Sequence, residues 1–501
     1  MKNKIRQSWI ILGGAAVYYY LFWQSPSGLN SLIFSLFLLA VLGLTQAEKL
    51  QSRGALLAIC ATIISAGLVA WHNSALTKIG HSFSFLILIG FLQKMELRFI
   101  WYAFLLAMVG FMEGPKRIYE EFMSSNLNHG RYKEIFRWLK LTLVPLALGF
   151  VFFVIYYAAN AQFAALIDRF TAALSFNVSF DWLIARGIFF FIGILIFSAL
   201  ILKSSYAHLF KQLSFKLIRR RSKNPLNLKI SNSSIALKNE YRVGLITIGL
   251  LNGLLFIVNM TDLRYVWVEY EDTTPQMLSQ YVHEGTYLLI IAILLAMVVL
   301  LYFFRKNLNF YPENDHLKHL ANLWIIQNGV LALSVAMRNY HYIHEFGLAY
   351  KRLGVIWFLV LTIVGLLSFH QKIAGRKNIN YLLHINGWAL YASIMLFSLI
   401  NWDLVITKYN LSMENKGNLD IQFLTEDVSD KNLYLLLEHK YELGLNSTPP
   451  APLNELLEQK QTAFENKVKN RSWKSWNWSD QRNLNYLRKK RLLGWQKDIN
   501  N

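Results

Sequence analysis

The sequence predicts an all-α protein: a polytopic transmembrane helical bundle of about 11 to 13 spans with a small soluble α-helical C-terminal region. Three observations predict it. Apolar stretches of roughly 17 to 23 residues, the length that crosses about 30 Å of hydrocarbon as a helix, recur along the chain and are nearly free of charge. Hydrophobic residues make up 54% and charged residues 16%, against about 25% charged in an ordinary soluble domain. Aromatic residues reach 15% and gather at segment ends, at Tyr18 to Tyr20 with Trp23, Trp71, Trp101, Trp182, Trp267 and Trp402, where belts anchor helices at headgroup level.

In chain order the predicted spans are Ser8 to Trp23, Leu29 to Thr45, Gly54 to Trp71, Ile79 to Leu92, Phe99 to Met112, Leu139 to Ala159, Trp182 to Leu202, Val243 to Met260, Gly285 to Phe304, His319 to Met337, Leu353 to Phe369 and Tyr381 to Asn401. The first follows a basic Met1-Lys-Asn-Lys-Ile-Arg6 without a small-residue cleavage motif, which favours a retained span over a signal peptide. The fourth is the weakest. Gly80-His81-Ser82-Phe83-Ser84 leaves it a short apolar run, so it is expected to be short, tilted or re-entrant. After Asn410 the chain turns polar, breaks at Thr448-Pro-Pro-Ala-Pro452, and shows helical periodicity over Val428 to Tyr441, Leu453 to Val468 and Ser479 to Leu493, with Ser479 as an expected N-cap. The organisation read from this is N-terminal transmembrane helices over 1–113, a basic cytoplasmic loop over 114–138, a transmembrane core over 139–411 and a soluble helical tail over 412–501.

Charge sets the expected orientation. Lys203 to Arg242 carries ten Lys and Arg against the single acid Glu240, and reads as cytoplasmic by the positive-inside rule. Asp168 to Asp181 and Asp262 to Glu284 on either side are acidic or mixed, while Lys116 to Lys140 and Gln371 to Asn378 are basic, so the loops alternate. Counting forward places the tail outside. Counting backward through five spans would place the basic amino terminus outside, which the weak fourth segment resolves if it does not cross: eleven spans, amino terminus in and carboxyl terminus out. The net charge of +21 is met by anionic lipids at the basic loops rather than by nucleic acid. Cys60, the single cysteine, excludes an intrachain disulfide and is expected to be a small packing residue.

The most specific local pattern is Arg338, Tyr342, Phe346-Gly347-Leu348 and Arg352. Arg338, Tyr342 and Phe346 stand four apart and share a helical face, Gly347 permits a turn, and Arg352 opens the next span from the same side. Two readings follow: interfacial arginines that anchor a hairpin, or a paired-arginine anion or headgroup site. Asp262, His283, Glu284 and Glu345 fall near the same outer face and, with Arg338, Tyr342 and Arg352, form the candidate polar and anion site. The pairs His316 with His319 and His341 with His344 are separated by a span and favour structural histidines over a metal site. Neither H-E-x-x-H, a Gly-x-Ser-x-Gly elbow nor a phosphate-cradling Lys loop occurs. No catalytic residue, cofactor or metal is therefore assigned.

These residues resemble the bacterial polytopic membrane proteins of the domain-of-unknown-function 4173/4153 family, whose pattern is an Arg, a Tyr four on, then Tyr-Gly-Leu-Thr and a second Arg. This chain has Phe346 and Ala349 in place of that Tyr and Thr. The resemblance runs in pieces from Pro145 to Leu424, through Ala159-Asn160, Asn252, Asp262-Leu-Arg-Tyr265, Tyr281, Gly285, Asn401-Trp-Asp403, Tyr409-Asn410, Asp420 and Phe423-Leu424. It implies a multi-pass protein of the bacterial cytoplasmic membrane and brings no activity. The function expected is a non-enzymatic one, in handling a solute or lipid or in signalling or assembly. The alternative is a membrane-embedded enzyme with an outer-face polar site. A transporter would bury polar groups at the midplane, for which Pro145, Asn160, Asn252, Asn259 and Asn328 are the candidates; Trp473, Trp476, Trp478 and Arg488 to Arg491 suit either a lipid surface or a small helical core.

Overall fold

The computed structural model describes residues 2–124, 162–163, 165–166, 169, 180–211, 233–268, 286–304, 307–413, 419–440, 443 and 453–499. Every regular element among them is helical: α1 Lys2–Phe22, α2 Leu29–Leu50, α3 Arg53–Trp71, α4 Ala75–Gln93, α5 Ile100–Ser124, α6 Phe180–Ile201, α7 Ser233–Asp262, α8 Thr286–Phe303, α9 Asp315–Phe346, α10 Tyr350–Ala374, α11 Ile379–Ser398 and α12 Trp402–Leu411, then α13 Leu433–Glu438, α14 Leu453–Lys469 and α15 Trp478–Ile499 in the tail. Seven helical segments among the described residues are long and apolar enough to cross a membrane, or eight if α11 and α12, bent by 61° at their junction, make one span. The chain is a multi-pass membrane protein. The expected span Leu139 to Ala159 and most of the loop Lys203 to Arg242 lie outside the described residues.

Polar caps start the helices where the sequence offers them. Ser52 accepts from the Ala55 amide at the head of α3, Ser74 from Thr77 at α4 and Asn378 from Tyr381 at α11, each satisfying one donor that the first turn leaves without a carbonyl. Three sequence expectations are corrected. The fourth segment is an uninterrupted helix of 19 residues, long enough to cross. Two of its polar residues meet protein, while Ser82 is exposed: Ser84 is fully buried and accepts from the Tyr391 hydroxyl at 3.1 Å, and His81 Nδ1 lies 3.2 Å from Ser65 Oγ. The α15 cap is Asn477, whose Oδ1 accepts from the Asp480 amide at 2.9 Å. Ser479 instead donates to the Trp71 carbonyl at 3.1 Å. Cys60 is exposed on α3 rather than packed.

The chain divides into two compact units, 1–25 with 106–206 and 26–105 with 207–501. In the first, α1 packs on α6, where the Tyr18 and Phe189 rings stack 5.1 Å apart. The same unit buries an ion pair on α5: Arg117 lies 3.2 Å from Glu113 and donates to the carbonyls of Leu202 and Gly110, while Ser204 donates to Glu113. Each partner satisfies a charge that would be costly alone in an apolar setting.

In the second unit α2, α3 and α4 pack in sequence, and α7 to α11 enclose a core built on Ile248, Leu300, Leu317, Trp324, Phe369 and Leu382. Between α7 and α9 runs a polar seam. Gln327 donates to Asn252 Oδ1 at 2.9 Å, Asn252 to the Leu320 carbonyl at 3.0 Å and Asn259 to the Gln327 carbonyl at 3.1 Å. Such cross-helix amides bind spans that lack a hydrophobic reason to associate in lipid. The tail closes on this unit. Leu424, Val428, Leu436 and Leu457 share one core with Leu348 and Leu353 of the α9–α10 hairpin, and Trp476 accepts at its carbonyl from the Leu29 amide at 2.8 Å. Among the tail residues singled out above, Trp473 and Trp478 stay exposed, as do Arg488 to Arg491.

Candidate functional site

The α9–α10 turn is built by one glycine and one asparagine. Gly347 adopts φ +79, the left-handed region that glycine enters without steric cost, and a Cβ there would meet Asn410 Oδ1 at 2.6 Å. Asn410, on α12, accepts from the Leu348 amide at 2.6 Å and donates back to the Leu348 carbonyl at 3.0 Å. Both backbone groups of an otherwise unpaired turn residue are thereby satisfied.

Arg352 holds the turn from the other side. Its Nη1 donates to the Phe346 carbonyl at 2.8 Å and to that of Gly347, and its guanidinium lies 4.3 Å from the centroid of the Tyr342 ring. The Tyr342 and Phe346 rings are in turn 4.8 Å apart. The stack leaves the cation fixed and partly desolvated, which strengthens its attraction to the ring.

Beside this stack opens a cavity of about 570 Å³, walled by Asn339, Tyr342, Phe346, Leu348, Tyr350, Lys351, Arg352, Val355, Asp420, Phe423 and Asp427. Its volume lies within the range of small-ligand sites, about 300 to 1,000 Å³. The far wall comes from the tail, where the π-helical turn Phe423–Asp427 begins with Asp420 Oδ1 accepting from the Phe423 amide at 2.8 Å. Lys460 of α14 ends that turn: its Nζ donates to the Thr425 and Val428 carbonyls at 2.8 and 2.6 Å. Burial pushes this amine down from 10.5 to about 8, offset in part by Asp430 and Asp403.

Under the cavity Asp403, 5% exposed, accepts from the hydroxyls of Tyr350 and Ser429 and lies 3.5 Å from Lys431 Nζ. Asn432 donates to Thr407 Oγ1 and to the Leu424 carbonyl, both at 3.0 Å. Asp403, through Ser429 and Lys431, and Thr407, through Asn432, thus tie the bent helix α12 to the tail.

The candidate residues read from the sequence divide. Tyr342 and Arg352 stand in the cavity wall. Arg338 pairs with Asp262 across α7 and α9, both largely buried, and neither borders the cavity. The two arginines are held by separate partners, so the structure does not bring them together as one clamp. Glu345 is half-buried on α9 and outside the wall. His283 and Glu284 lie outside the described residues. Sequence reading missed Tyr350, Lys351, Asp427 and Lys460. The pieces that carried the resemblance converge here all the same: Tyr342, Gly347, Arg352, Asp403, Asn410, Asp420 and Phe423 all wall, floor or tie the cavity.

A family described as Domain of unknown function (DUF4153) matches residues 12–439. No curated protein and no solved structure matches the chain.

Proposed function

Since the chain belongs to the DUF4153 family, whose description assigns no activity, we propose from its own geometry that it is a non-enzymatic protein of the bacterial cytoplasmic membrane that binds an amphiphilic solute or lipid in the cavity at the α9–α10 turn. One observation carries this. At the ends of two spanning helices, a single cavity combines charged groups (Lys351, Arg352, Asp420, Asp427) with aromatic and aliphatic walls (Tyr342, Phe346, Leu348, Val355, Phe423). That is the lining an amphiphile needs at the depth where hydrocarbon gives way to headgroups.

The proposed topology has 11 to 13 spans in all, by the length criterion of about 20 residues each, with Lys203 to Arg242 in the cytoplasm against anionic lipid and the tail on the outer side. The cavity then opens outward, because the tail forms its far wall. The signalling or assembly reading is ranked second, and the enzyme reading third. Asp403, Ser429 and Lys431 are the groups an enzyme would use, but Ser429 already caps the short helix Asp430–Asn432 and Asp403 already binds two hydroxyls.

Native mass spectrometry of the full chain, extracted in a mild detergent, tests the proposal. A bound amphiphile is expected on the wild type and lost from Arg352→Ala and Phe346→Ala at unchanged helical content. An identical complement of adducts on all three proteins would refute it.

A further inference from the structure

The cavity lining is charge-balanced, and this constrains what it holds. Lys351 and Arg352 bring two cations, Asp420 and Asp427 two carboxylates, into one wall. Two of the four also serve the backbone: Arg352 Nη1 donates to the turn carbonyls and Asp420 Oδ1 accepts from the Phe423 amide. Lys351 and Asp427 are exposed, and neither forms an ion pair among the described residues. A site for a plain anion gathers cations and excludes carboxylates. Here a lone phosphate would meet attraction from one pair and repulsion from the other, and a lone ammonium the reverse.

Resting on the reading of this cavity as an amphiphile site, we infer that its ligand is a zwitterion carrying a phosphate and an amine, as in an ethanolamine phosphate headgroup. The phosphate goes to Lys351 and Arg352, adjacent at the start of α10. The amine goes to Asp427 and Asp420, at the two ends of the π-helical turn, with the ring of Phe423 between them offering its face to a cation. The headgroup alone underfills about 570 Å³, and Leu348, Val355 and Phe346 supply an apolar wall for the glycerol and first methylenes of a lipid. A soluble ethanolamine phosphate shares the charged chemistry without using that wall.

The experiment measures binding of phosphatidylethanolamine, phosphatidylglycerol and free phosphoethanolamine to the full chain in neutral detergent, by native mass spectrometry and by thermal shift. Phosphatidylethanolamine is expected to bind about tenfold or more tightly than phosphatidylglycerol, roughly 1.4 kcal/mol. Lys351→Glu should remove most of that binding. Asp427→Lys should reverse the preference toward phosphatidylglycerol, a gain that a merely misfolded variant cannot show. Equal or better binding by free phosphoethanolamine identifies a soluble ligand and retains the zwitterion. A wild type that prefers phosphatidylglycerol, unmoved by Asp427→Lys, overturns the zwitterion and leaves the amphiphile site standing. Lipid binding that ignores Phe346→Ala and both charge variants overturns the two together.

Discussion

Arg338 and Arg352 share a residue type and a neighbourhood in sequence, yet their surroundings ask different things of them. Arg352 donates from Nη1 to two successive carbonyls while its guanidinium stacks on the Tyr342 ring. A lysine offers a point charge and no flat face. Arg352→Lys is therefore expected to lose thermal stability and amphiphile binding nearly as fully as Arg352→Ala. Arg338 meets one carboxylate, Asp262, with Nη2, a contact a lysine can reproduce. Arg338→Lys should stay close to wild type, whereas Arg338→Ala strands a buried carboxylate at about 3 to 5 kcal/mol. Melting curves of the four proteins decide the matter, and equal tolerance of lysine at both positions would sink the distinction. Gly347 is the other residue whose chemistry is fixed by its place. Gly347→Ala combines a left-handed backbone with a Cβ 2.6 Å from Asn410 Oδ1, for an expected loss of about 1 to 3 kcal/mol from the backbone alone.

Among the elements, the π-helical turn Phe423–Asp427 is the one the site depends on, and Lys460 holds it. At neutral pH the ammonium serves two close carbonyls, so Lys460→Ala should cost about 1 to 3 kcal/mol by leaving them unsatisfied and should loosen the wall that carries Asp427. Its depressed value gives the pH dependence a sign. Between about 8, where the folded chain releases the proton, and 10.5, where the unfolded chain does, the unfolded state binds more protons and stability rises with pH. Lys460→Met should flatten that rise in denaturant titrations between those values; an unchanged slope would place the amine in water. The elements themselves were legible to unequal degrees. The apolar stretches among the described residues are helices because length and the absence of charge are sufficient in lipid. The fourth was misjudged because Ser84 and His81 were weighed against lipid, whereas each faces another helix. Tyr342, Gly347 and Arg352 were readable because they surround one local turn. Lys351, Asp427 and Lys460 were not, since two of them reach the site only through the folding of a tail remote in sequence.

For the whole molecule the tail is the reporter of sidedness. Its residues Leu424, Val428, Leu436 and Leu457 share a core with Leu348 and Leu353 at the α9–α10 turn, so tail and cavity lie at the same end of the spans. The proposed topology, by the positive-inside rule, has Lys203 to Arg242 in the cytoplasm. In that proposed topology the segments between that loop and the tail put the tail, and the cavity with it, outside. The full length of α4 bears on the amino terminus instead: a fourth crossing gives about twelve spans and turns the basic amino terminus outward, against its charge, whereas the second half of the chain is unaffected. Cysteine labelling reads both ends. In a Cys60→Ala background, an impermeant maleimide is expected to label Ser447→Cys in intact cells and to reach Ser233→Cys only after the membrane is opened. Labelling of Ser233→Cys in intact cells, with Ser447→Cys silent, would invert the molecule and turn the cavity toward the cytoplasmic leaflet. A cysteine at Asn3 settles the remaining parity, and its labelling in intact cells is the result expected if α4 crosses.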